Sequence, residues 1–198
     1  MGNRHIKTLI LNGVAVGEYL GSDDTEEDLQ AARQALRDKG LYKPPSLIEA
    51  MRGQAVAFAA ASNLAYERMQ KRGPGDPPLT FVPFVVNSAF AVELYVKTLL
   101  RAVDIEPPKR GHSLVALHAL LPAGEQARVQ RLCVQHTQDY DPGTVETFAA
   151  RLVPINEAFV QWRYAYEYER AGMVRLRSLI LVMKACHEAC RTVSSNGP

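Results

Sequence analysis

From Ser46 onward the chain carries apolar residues at three-and-four spacing, in segments cut by Pro and Gly. That pattern constrains the fold more than any other feature, because a 3.6-residue period places such residues on one face of a helix and on both faces of a strand. Ile48, Met51, Ala55, Phe58, Ser62, Ala65 and Met69 form the first stripe, opened by a Ser46/Glu49 capping box and closed near Gly73. Val85, Ala89, Val92, Val96, Leu99 and Val103 form the second, over about 82–104, with Pro107 and Pro108 beyond it. A short helix is predicted from Ser113 to Pro122, and another over about 123–138. A further pattern runs from Thr144 to Arg170, and Pro154 should break or kink it. The last helix is expected over about 172–193, with Leu176, Ile180, Met183, His187 and Cys190 on one stripe. Several amphipathic helices with short connections predict an antiparallel up-and-down bundle over 46–194.

Residues 1–42 follow a different rule. Ile6, Thr8 and Ile10, then Val14, Val16 and Tyr19, flank Asn12-Gly13. An Asn-Gly pair between β-prone runs is a strong hairpin signal, since both residues tolerate positive φ. Strands are predicted at about 6–11 and 14–20. Acidic residues from Asp23 to Asp28 then suit a helix start, with Asp23 and Glu26 as a capping box, and Gly40 suits its end. Leu29, Ala32 and Leu36 make a stripe wide enough to cover a hairpin but not to hold a core. The expected fold is therefore mainly α, a helical bundle with a small β-hairpin-plus-helix appendage at the N-terminus.

With 198 residues, 47% hydrophobic and 22% charged, the chain can bury a core and is not a disordered sequence. Its net charge of +2 excludes a polybasic strategy and leaves room for a local basic patch. Residues 1–40 hold 5 basic and 7 acidic side chains, net −2, and the remainder holds 18 and 14, net +4. The three cysteines, Cys133, Cys186 and Cys190, do not suit a disulfide framework. No leader-type segment is read at the N-terminus. The longest apolar run, Val82 to Val92, is interrupted by Asn87 and Ser88, so the expectation is a cytoplasmic protein without a membrane span.

Four groups of residues invite a chemical reading. Glu93 and Lys97, four apart at the border of an apolar face, are either a surface ion pair or part of a partly buried polar site. Trp162, Arg163, Tyr166 and Glu167 combine aromatic rings with a guanidinium that grips phosphate bidentately, or else they form an aromatic core cluster tied by an ion pair. Lys109, Arg110 and His112 form a basic loop before a helix N-terminus, where Ser113 and its neighbours hold an anion or where His112 or Ser113 simply caps the helix. Cys186, His187 and Cys190 lack the second ligand pair that a zinc site would need, and His187 reads as a core histidine. No cofactor or metal is predicted. Phosphate-loop, nucleophile-elbow and zinc-protease motifs are not found in the sequence.

Three segments together resemble the HEPN superfamily of small helical bundles: Ala91 to Leu100 (AVELYVKTLL), Gly111 to Leu121 (GHSLVALHALL) and Phe159 to Glu167 (FVQWRYAYE). The resemblance spans about 46–192. It implies an up-and-down bundle, a homodimer, and a role in bacterial defence, toxin–antitoxin systems or RNA processing. Ribonucleases of the family carry an Arg and, a few residues later, a His, paired across the dimer. Arg163 matches the Arg. Tyr168, Glu169 and Arg170 occupy the places where the His would fall. The resemblance thus implies a non-catalytic module binding RNA or a nucleotide through Glu93, Lys97, Lys109, Arg110, His112, Trp162, Arg163, Tyr166 and Glu167. One alternative is an assembly module whose hairpin recruits a protein partner. Another is a divergent metal-independent endoribonuclease using Arg163 with His112 or Tyr166.

Overall fold

The computed structural model describes residues 3–42, 44–73, 79–140, 146–163 and 174–193. The protein is mainly helical, with a two-stranded antiparallel sheet at its N-terminus. It divides into two compact units, Met1–Pro45 and Ser46–Pro198.

In the first unit, β1 (Arg4–Leu11) pairs with β2 (Val14–Ser22). Asn12 and Gly13 make the turn with φ of 50° and 81°, the left-handed pair that matches strand twist. The helix α1 (Thr25–Asp38) lies on β2. Its cap is Asp24 and not Asp23: the Asp24 carboxylate accepts from the Glu26 and Glu27 amides at 3.0 and 2.9 Å. Asp23 is left outside the helix, 3.7 Å from His5. Asp28 fastens helix to hairpin, accepting from the Ser22 amide at 3.1 Å and from Tyr19 at 3.2 Å, with Lys7 3.0 Å away.

In the second unit, α2 (Leu47–Gln70) opens with the expected capping box, in which the Ser46 amide donates to Glu49 and the Glu49 amide to Ser46. It packs along α3 (Phe81–Ala102), and the buried hydroxyls of Ser62 and Ser88 meet at that seam. Of the 22 residues in α3, 13 are buried, on every side of the helix, which marks it as the central element. It contacts α8 (Leu176–Arg191) and α7 (Ala158–Arg163) as well as α2. By length and composition alone α3 is long and apolar enough to cross a membrane, but 67% of its apolar 18-residue window is buried inside the protein, as in a core helix.

The helix α3 ends earlier than expected because Asp104 takes a φ of 59° and turns the chain before Pro107. Then follow α4 (Leu114–Ala119) and α5 (Ala123–Tyr140). The pattern beginning at Thr144 is broken into α6 (Phe148–Leu152), a 3-10 turn at Val153–Ile155 around Pro154, and α7. A proline has no N–H for the helical ladder and its ring crowds the preceding turn, so the break falls there. Tyr166 and Glu167 lie outside the described residues, as does the expected start of the last helix.

Candidate functional site

Glu93 projects from α3 with 2% exposure, yet both of its oxygens are engaged. Lys97, one turn on and 15% exposed, donates to Oε1 at 2.7 Å. The second oxygen lies 2.9 Å from Nδ1 of His112. An ionised carboxylate only accepts, so His112 is the donor through Nδ1–H. That contact sets the ring's orientation and leaves Nε2 at the opposite end of a side chain that is 43% exposed. The pair Glu93/Lys97 is thus a buried polar site, which settles the choice left open by their spacing.

His112 is placed by its loop. Gly111 has a φ of 115°, a conformation L side chains rarely adopt, and it turns the chain into α4. Ser113 caps α4 by accepting from the Ala116 amide at 3.2 Å. Asn156, just after the 3-10 turn, latches the same end: its side-chain oxygen accepts from the Ser113 hydroxyl at 3.0 Å and the Val115 amide at 2.8 Å, and its carbonyl from the Leu114 amide at 3.4 Å. The first N–H groups of α4 are therefore satisfied within the protein. The anion reading of this helix start gives way to capping.

Phe159 of α7 joins the parts. Its ring stacks on Phe90 at 4.7 Å, and Phe90 meets the edge of Phe58 at 4.6 Å. The His112 ring is 5.3 Å from Phe159, and the exposed Arg163 guanidinium lies over Phe159 at 5.0 Å. Arg163 follows Phe159 by one helical turn, which is why it reaches the ring. A guanidinium, a carboxylate-oriented imidazole and a Glu93-bound ammonium are thus assembled from three elements. Lys109 and Arg110 are exposed in the loop leading to His112. Trp162 points elsewhere: it is half-buried and meets the edge of Phe81 at 5.1 Å, as a packing residue would.

Other predicted and unpredicted groups sort by burial. Cys186 and Cys190 are buried, and burial holds both thiols protonated, Cys190 being pushed up to about 12. Among the described residues, no three metal-ligating side chains come together. Arg151, 2% exposed, was missed by sequence reasoning; it pairs with Glu146 at 3.1 Å and donates to Thr137 at 3.5 Å. Its position three residues after Phe148, on the buried stripe, was the available signal. Asn156 carried no such signal, since its partners lie 41 and 43 positions away in sequence. No family model, curated protein or solved structure matches the chain.

Proposed function

We propose that the helical unit is a HEPN-like module, acting in the cytoplasm, that binds RNA or a nucleotide at the Phe159 cluster. The observation that carries this reading is the meeting of Arg163 and His112 on one aromatic ring, with Lys109 and Arg110 in the same loop as His112. Arg163 grips a phosphate, and the loop cations add screened attraction along the backbone. The +4 charge outside residues 1–40 favours the same partner. A homodimer, as the family resemblance implies, would bring two such clusters together.

The test is a titration of labelled mixed-sequence single-stranded RNA and of free nucleotides at low and high salt. Binding should fall as salt rises, and Arg163→Ala should weaken it about tenfold. Salt-independent binding, or binding indifferent to Arg163, rejects the reading. A second reading, metal-independent RNA cleavage, is favoured by the Glu93–His112 contact, since a carboxylate holding Nδ1–H leaves Nε2 as a proton acceptor. A denaturing gel of the same samples decides it: cleavage abolished by His112→Ala supports an enzyme, and intact RNA supports a binding module. If no RNA or nucleotide binds, the weight moves to assembly through the N-terminal hairpin.

A further inference from the structure

The helix α2 packs on α3 but barely touches α8. From α2, Ala59, Ala60 and Asn63 line the gap between the two helices together with Tyr66 and Glu67, and the gap holds a cavity of about 610 Å³. Its floor contains Phe84 and Tyr95. By helical spacing these lie on the side of α3 opposite Glu93 and Lys97, so this cleft is separate from the Phe159 cluster.

Tyr95 is fully buried, and its hydroxyl lies 2.8 Å from His187 Nδ1. Burial keeps the phenol protonated and opposes a second proton on His187. The buried phenol has no other hydrogen-bond partner among the described residues, so its O–H donates to Nδ1 and the neutral imidazole carries its own proton on Nε2. His187 lines the cleft, so the cleft contains one fixed neutral donor. Across from it, the Asn63 amide offers both a donor and an acceptor. Aromatic surface is supplied by Tyr66 and Phe84, tilted rings 5.3 Å apart. The charged residues of the lining balance, Lys184 and Arg191 against Glu67 and Glu188, and Glu188 stands 2.8 Å from His136.

We propose that this cleft binds an uncharged planar heteroaromatic molecule of nucleobase size. The volume is that of a small-molecule site. A purely apolar guest would leave the His187 donor and the Asn63 amide without partners, and a net anion or cation would meet no surplus of opposite charge. A ring system with donors and acceptors on its edge satisfies walls and polar groups together. The inference does not rest on the RNA reading.

The experiment is ligand-observed NMR on the full chain with adenine, quinazoline and indole, beside benzoate and cyclohexanecarboxylate. The heteroaromatic probes should bind saturably at one site, and the two carboxylates should bind at least about tenfold more weakly. Ala60 is exposed at the cleft, so Ala60→Trp should abolish binding while circular dichroism and melting temperature stay unchanged. Asn63→Leu, also at an exposed position, should weaken adenine about tenfold and affect indole less. Failure of all three heteroaromatics to bind the wild type overturns the proposal. So does binding that survives Ala60→Trp, or equal binding of the carboxylates.

Discussion

Glu93 is a carboxylate taken almost wholly out of water, and its two partners determine what it costs the fold. Breaking a buried pair by removing one partner leaves an uncompensated charge. Lys97→Met should therefore destabilise the protein by about 3 kcal/mol in chemical denaturation. Arg163→Ala, which takes an exposed guanidinium from over the Phe159 ring, should cost no more than about 1 kcal/mol. A large loss from Arg163→Ala would instead assign that residue to the core network. Spacing alone placed Glu93 and Lys97 at the edge of an apolar face. It did not show that His112, 19 residues on, closes the group, because that contact depends on how the loop after α3 returns.

At the level of elements, the site depends on how α4 and α7 are joined to α3. Asn156 ties the segment leading into α7 to the start of α4 through three hydrogen bonds to one turn of chain. Asn156→Ala should cost about 1–2 kcal/mol, as loss of a helix cap does, and should speed amide exchange at Val115. Unchanged exchange there would mean Ser113 alone holds the end. The helices and the hairpin were legible because period, capping box and Asn-Gly turn are local signals. The break after Leu152 was legible as a break at Pro154. What was not legible is its product, since the useful residue is the asparagine two positions after the proline and its partners are remote. In α1 the cap moved by one residue, from Asp23 to Asp24, a choice that the hairpin's exit at Ser22 makes and that composition does not.

For the whole molecule, the buried apolar side chains fall almost entirely in the second unit; among the described residues of the first, Leu9 is the one that qualifies. A chain lacking residues 1–45 should therefore keep the helices α2 to α8 and cooperative melting, and loss of either would show that the helical unit needs the first. Acid should act on the two units through different groups. In the hairpin unit, the hydrogen bond from Lys7 holds the Asp28 carboxyl below its ordinary range. Its contribution is present above the unfolded value and is lost as pH falls through the folded one, so the protection of hairpin amides, relative to their intrinsic exchange rates, should fall at low pH. In the helical unit, burial lowers the proton affinity of His118 and His187. Their unfolded forms bind more protons below about pH 6.5, so stability should fall between about pH 7 and pH 5. A flat stability profile over that range would contradict both placements.

The seam between α2 and α3 carries one more consequence. Ser62 and Ser88 are each fully buried, and each hydroxyl is the other's partner. Changing either one alone strands a hydroxyl in an apolar setting, whereas replacing both by alanine removes donor and acceptor together. Over evolutionary time these two positions, 26 apart, should therefore drift as a unit. Related sequences should keep both serines or lose both, and lineages carrying only one should be rare and short-lived.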